Sequence, residues 1–255
     1  MKKSLIIFVL ALCSAIFIQG QNKNFSDIEV KYHFKLIPDS LDRENHLKAE
    51  MILLCNKNQS YYFNPDMVKT YELINKQTQT FTNVQDIANN YVPIPKIRHN
   101  AWRENQTTTI TSPLGKYNYS YEADEIKWKL LPETKKIEGF STHLATTNIE
   151  GVTFYAWYTT EIPFSEGPFK FKGLPGLIIE LYNENKTIEI HATSVETKSV
   201  EITKMNEPLN VNLRTRKGFL TAREKYLTHP FQSNSPKEVV QRKLEQLKKI
   251  NTFLD

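Results

Sequence analysis

Segment after segment of this chain alternates apolar and polar side chains with a period of two, the pattern of a strand that buries one face. It runs through "DIEVKYHFKLI", "LKAEMILLCN", "QSYYFN", "TTTITS", "YNYSYEA", "IKWKLL", "THLATTN", "VTFYAWYT", "LIIELYN" and "KTIEIHATSVE", with Pro, Gly and Asn clusters between. Short strands at fairly even spacing, with no helices interleaved, predict an antiparallel sheet rather than βαβ units. The expected fold is mainly β, of α+β type: a curved antiparallel sheet, with a half-barrel as one form of that curvature, and a C-terminal helix packed on it. That helix is read from "SPKEVVQRKLEQLKKINTFL", where Ser235 is placed to cap, Pro236 to start the first turn, and Val240, Leu244, Leu247, Ile250 and Leu254 to form one apolar stripe. It is expected over residues 236–253. A shorter helix is expected through "LTAREKYL", and residues 67–99 read as a long irregular excursion.

The N-terminus carries a different signal. Lys2 and Lys3 precede the apolar run "SLIIFVLALCSAIFI", which gives way to "QGQNKN". A charged start, a short apolar run and a small residue near its end predict a secretory signal peptide over residues 1–20, with cleavage near Gly20. Cys13 lies inside the apolar run after Leu12, which does not suit a lipoprotein acylation site. Residues 21–255 are then expected to form one exported β-rich domain, periplasmic or outer-membrane-associated. No transmembrane span is expected in that mature chain, since no later run approaches the roughly 18 apolar residues a spanning helix needs.

Loss of Lys2 and Lys3 lowers the formal net charge from +5 by two, and the remaining basic residues are interspersed with acids. That pattern gives no support for nucleic-acid binding. Cys55 is then the only cysteine left, so the domain relies on its hydrophobic core, and a lone thiol in an alternating apolar stretch reads as packing.

Three of the chain's 8 glycines, Gly167, Gly173 and Gly176, fall within ten residues of "AWYTTEIPFSEGPFKFKGLPGLIIELYN". Pro175 and Gly176 suit the central positions of a type II turn, with positive φ at the glycine. Pro163, Pro168 and Pro175 exclude a regular ladder between them, while Phe164, Phe169 and Phe171 offer apolar anchors, so an Ω-like loop is expected. A nucleotide-phosphate loop is not indicated, because Lys172 precedes Gly173 and a strand follows the turn.

The same segment resembles the signature of the GLPGLI family of secreted Bacteroidota proteins, carried by the string Gly173-Leu174-Pro175-Gly176-Leu177-Ile178. Upstream, "IKWKLLPETKKIEGFSTHLATT" resembles a second family segment through Trp128, Glu133, Thr134, Ile137, Gly139 and Ala145. The resemblance implies no defined activity. Family members commonly sit beside genes for TonB-dependent outer-membrane receptors, which implies an envelope accessory role. Many members carry a cysteine where this chain has Thr142 or His143, so thiol chemistry is not implied here.

The 6 histidines form no metal-ligand spacing, and HExxH, CxxC and GxSxG are absent. No cofactor, metal or catalytic residue is therefore assigned, although Glu161 and Glu166 flank the loop as a candidate acid pair and an uncharacterised hydrolase stays as the least favoured class. The leading expectation is an accessory binding module of an outer-membrane transport system. Its platform would comprise Trp157, Tyr158, Glu161, Pro163, Phe164, Gly167, Pro168, Phe171, Gly173, Leu174, Pro175 and Gly176. The alternative is a periplasmic carrier of a lipid-like or other apolar ligand, with Trp157 and Phe164 at an open mouth.

Overall fold

The computed structural model describes residues 24–78, 94–115, 117–207, 210–229 and 236–254. The expected signal peptide lies outside them. Twelve strands form one open sheet: β1 (Ile28–Leu36), β2 (Leu47–Cys55), β3 (Gln59–Phe63), β4 (Asn100–Glu104), β5 (Thr107–Leu114), β6 (Tyr117–Glu122), β7 (Lys129–Ile137), β8 (Phe140–Ile149), β9 (Val152–Thr159), β10 (Leu177–Asn183), β11 (Ile188–Thr197) and β12 (Asn210–Thr215). The described helices are α1 (Pro65–Thr78), α2 (Arg216–Thr228) and α3 (Lys237–Lys248).

The strand order, β12-β6-β5-β4-β3-β2-β1-β11-β10-β9-β8-β7, is two antiparallel meanders joined along β1 and β11. Among the described strands only β12 pairs in parallel, on the free edge of β6. The sheet is strongly rolled. Ile110 and Tyr121 of β5 and β6 line one cavity together with Thr147 and Ile149 of β8, whereas eight inter-strand steps of about 4.8 Å would separate β5 from β8 by about 38 Å on a flat sheet. The antiparallel sheet expected from the alternation is thus present, curled over its own inner face.

That inner face holds the main core. Val30, Tyr32 and Phe34 of β1 alternate inward with Met51 and Leu53 of β2, Leu177, Ile179 and Leu181 of β10 and Ile190 of β11, all essentially without exposure. Cys55 belongs to the same cluster and makes no disulfide. On the outer face Leu54, Tyr61 and Ile202 form a small second cluster.

The helices depart from expectation in instructive ways. Within the excursion over 67–99, α1 is well formed: Asn64 caps it by accepting the Asp66 N–H at 2.9 Å, and Met67, Thr70 and Tyr71 face inward. At the C-terminus, α3 begins at Lys237 with Pro236 at the cap position, Ser235 lies outside the described residues, and the helix ends at Lys248 rather than near 253. The cause is competition for backbone donors. Asn251 and Thr252 donate their N–H groups to Pro38 O at 2.9 and 3.2 Å, which draws residues 250–254 off as an irregular strap with Leu254 buried. The helix read in "LTAREKYL" is α2, which starts earlier, at Arg216, because Thr215 Oγ1 accepts from Gly218 N–H.

Candidate functional site

Between β9 and β10 the chain makes the expected Ω-like loop, closed at its neck by Leu177 N–H donating to Ile162 O at 3.2 Å. Its turn chemistry differs from the sequence reading. A type II turn would place φ of Gly176 near about +80°, but φ is +155° and Gly176 N–H donates to Leu174 O at 2.8 Å. The reversal is therefore a three-residue γ-turn centred on Pro175. Glycine is required for a second reason: a Cβ on Gly176 would lie 2.0 Å from the Thr159 carbonyl oxygen, so only a bare backbone fits against the end of β9. Gly167 is similarly confined, its missing Cβ falling 2.5 Å from Phe171 O.

From this neck the loop folds inward. Phe169 and Phe171 have no exposure and Leu174 is buried. Phe171 packs against Phe154 at 4.8 Å between ring centroids, and Phe169 meets His99 edge-on at 5.6 Å. Each such aromatic anchor contributes about 2 kcal/mol through burial. Trp128 from the second sequence segment donates its indole N–H to Lys172 O at 2.7 Å, so the two motif segments meet in space.

At the centre of the plug stands Glu166, 3% exposed. Its carboxylate accepts from Arg103 Nε and Lys172 Nζ, and from Ser60 Oγ at 3.0 Å. Burial alone would raise the Glu166 pKa, but the charges of Lys172 and Arg103 and their hydrogen bonds outweigh it and hold the carboxyl below its ordinary value. Cys55, in turn, is pushed up to about 12 by burial and by the Glu166 charge, which leaves the thiol protonated and unreactive.

The platform residues are therefore divided. Trp157 and Tyr158 are buried on β9, Trp157 beneath the Lys135 ammonium at 4.3 Å and Tyr158 beside the His143 ring at 5.7 Å. Gly167, Pro168, Phe171, Leu174 and Gly176 are buried in the loop, and Phe164 is half-buried against the core. Only Glu161, Pro163, Gly173 and Pro175 reach solvent. Glu161 and Glu166 do not act as a pair: Glu161 accepts the Ser141 N–H at 2.8 Å at the surface, while Glu166 is committed inside. Neither Trp157 nor Phe164 lines any of four cavities of about 240–440 Å³ described among these residues.

A different concavity lies where α2, α3 and the C-terminal strap cover the sheet. It measures about 440 Å³ and is walled by Leu36 and Leu47 of the first two strands, Phe219 and Leu227 of α2, Leu247 of α3, and Phe253 and Leu254 of the strap. Arg98 and His99, just before β4, complete the wall. His99 is buried, its Nδ1 has no partner among the described residues, and burial, then the Arg98 and Lys170 charges, push its pKa down to about 3. Nothing in the sequence spacing joins residues 36, 98, 219 and 247; only the rolled sheet does. Among the described residues no three His, Cys, Asp or Glu side chains are placed to hold a metal ion, and no helix is long and apolar enough to cross a membrane.

Residues 146–180, which run from β8 through the plug into β10, match a family model described as "Protein of unknown function (Porph_ging)". A comparison with curated proteins gives no match. Among solved structures, two crystal forms of PNGF-II superpose with TM-scores of 0.48 and 0.47 at 17% and 18% identity, covering 78% of this chain and 32% of theirs. The chain thus spans about a third of the length of those proteins. An uncharacterized conserved protein from Thermus thermophilus superposes with a TM-score of 0.36 at 5% identity, over 72% of this chain and 89% of that one. None of these superpositions carries a functional implication.

Proposed function

We propose that this protein is an exported envelope protein of the GLPGLI type that works by association, sheltering an apolar ligand in the cavity between the sheet and the C-terminal helices. The observation that carries this reading is the cavity itself. Its volume of about 440 Å³ lies within the range of about 300–1,000 Å³ common for small-molecule sites, and its walls are mostly aliphatic and aromatic with a few polar groups. The plug supports the reading indirectly, because the motif's buried residues fill the rolled sheet and leave the space under α2 and α3 as the larger described concavity. Export rests on Lys2, Lys3 and the apolar run after them.

The test is native mass spectrometry of the mature chain purified from an envelope fraction, with organic extraction of whatever copurifies. A bound small amphiphile, lost in a Leu247→Trp variant that fills the cavity while keeping the fold, is the expected result. A ligand-free protein that also fails to bind a neutral fluorescent probe such as N-phenyl-1-naphthylamine overturns the reading.

A second reading, an accessory module of an outer-membrane transport system, draws on the solvent-facing tips of the loop. Pro163, Ser165, Gly173 and Pro175 are exposed, and Ser165 ties the two sides together by donating Oγ–H to Leu174 O at 2.7 Å. A rigid exposed edge loses little entropy on docking. Pull-down of envelope proteins with Pro163→Ala and Pro175→Ser variants separates the readings, since the module requires loss of a partner at unchanged thermal stability.

A further inference from the structure

The cavity under α2 and α3 is not electrically neutral. Lys96, Arg98, Arg223 and Lys243 all line it, and among the described residues no aspartate or glutamate does. A wall so biased disfavours a cationic or zwitterionic occupant and favours one that brings negative charge. Arg98 is also preset for that role: its Nε donates to Asn118 Oδ1 at 3.0 Å and one terminal nitrogen donates to Gly115 O at 2.5 Å. Those two bonds fix the plane of the guanidinium at the cavity wall, and its remaining N–H groups have no hydrogen-bond partner among the described residues. Beside it, the His99 ring closes the wall.

The same cavity is too apolar for a small inorganic anion alone. Leu36, Leu47, Phe219, Leu247 and Leu254 line it, and such surface has no favourable contact to offer a fully hydrated ion. Arg223 and Phe253 also line a second, smaller cavity of about 240 Å³, where Glu150 is the acid among the described lining residues and feels the Arg223 charge. The positive charge of the larger cavity is thus concentrated on the side of Arg98, and the acid lies on the far side.

We propose that the occupant is a single-chain amphiphile with an anionic head, carboxylate or phosphate monoester, held with its head against Arg98 and its chain among the aliphatic walls. This rests on the reading of the cavity as a ligand site. It adds the chemistry of the head, which that reading leaves open.

The experiment uses the delipidated mature chain and displacement of N-phenyl-1-naphthylamine, a neutral reporter, by palmitate, hexadecyl phosphate, methyl palmitate and inorganic phosphate. Palmitate and hexadecyl phosphate are expected to displace the reporter at concentrations at least about tenfold lower than methyl palmitate, the equivalent of one charge-assisted contact. The one of the two charged heads that binds tighter identifies the source. In Arg98→Gln the ratio of palmitate to methyl palmitate affinity is expected to fall toward one, and added salt should weaken the charged ligands in preference to the ester. Should Arg98→Gln lose its fold, the double variant Lys96→Gln/Lys243→Gln reports the same ratio. Equal binding of acid and ester overturns the proposal while the cavity reading stands. Displacement by inorganic phosphate at the same concentrations as hexadecyl phosphate also overturns it. Failure of the folded protein to bind the reporter at all removes the cavity reading, and the proposal with it.

Discussion

Replacing Glu166 by Gln keeps the shape of the side chain and removes its charge, which leaves Arg103 and Lys172 facing each other across the plug with side chains only 15% and 11% exposed. Removing one member of a buried ion network costs about 3–5 kcal/mol, because the remaining charges stay desolvated. Arg103 retains backbone acceptors in Asn56 O and Asn105 O, at 3.0 and 2.8 Å, and Lys172 retains Ser60 Oγ at 3.0 Å, so the lower end of that range applies. Against a total stability of about 5–15 kcal/mol the loss is large, and with a urea m-value of about 2–3 kcal/mol/M it moves the unfolding midpoint by about 1 M.

The pH dependence adds a second readout. Because the folded-state pKa of Glu166 is lowered, its contribution is complete above the unfolded value of about 4.3 and is lost as pH falls through the folded one. Wild type should therefore show an acid limb in that window that Glu166→Gln lacks. Adding Lys172→Met to Glu166→Gln should restore part of the stability, and the double-mutant cycle should give a coupling of about 1–3 kcal/mol. A Glu166→Gln variant within about 1 kcal/mol of wild type, with an unaltered acid limb, would show that the network is solvated and that the plug is held by its aromatics alone.

Gly176→Val should lower stability by at least about 2 kcal/mol, since the new Cβ meets the Thr159 carbonyl and neither strand can retreat. Gly173→Ala, which meets nothing nearer than Trp128 Cδ1 at 4.0 Å and strains only φ, should cost about 1 kcal/mol; equal melting temperatures for the two would defeat the close-approach argument. His99, with its folded pKa pushed down to about 3, makes the unfolded chain the better proton acceptor below the ordinary value of about 6.5. Its contribution is whole above that value, is reduced by about 2 kcal/mol at about pH 5, and goes on falling toward the folded pKa. A His99→Gln variant whose stability falls as steeply as wild type between about pH 6.5 and 5 refutes the assignment. Cys55 should react with a disulfide reagent at mildly alkaline pH only at the rate of global unfolding, and rapid stoichiometric labelling of the native protein would contradict its burial.

Most strands were legible because their alternation is the imprint of a one-sided core: in β1, Val30, Tyr32, Phe34 and Leu36 are buried while Lys31, His33 and Lys35 between them are not. β12 carried no such imprint, since all but one of its residues are exposed and its pairing is a parallel edge contact. β4 is five residues long and ends in Arg103 and Glu104, too short for a period to register. For α1 a signal existed in "NPDMV", an asparagine cap before a proline, but the irregular sequence after it concealed the helix. The motif loop was located correctly by its glycines and prolines, but its turn type and its buried partners were not legible. A proline and a glycine announce a turn, but not the carbonyl of Thr159 that makes the glycine necessary, nor the partner Arg103, which stands 63 positions from Glu166. The cavity was invisible for the same reason: its walls come from both ends of the chain.

The seam between the two meanders has a consequence for how the chain reaches its native state. β1 pairs antiparallel with β11, Ile28 opposite Thr197, so β1 cannot complete its ladder during synthesis until residues as far as Thr197 are available. Until then Val30, Tyr32 and Phe34 sit on a strand with one open edge, a template for pairing with other chains. Closure across so long a separation is also slow, because the entropy of the loop is lost before any contact compensates. The nascent protein should thus depend on a holding chaperone for the interval between the first meander and the second, and refolding at high concentration should yield aggregates seeded through the N-terminal strand.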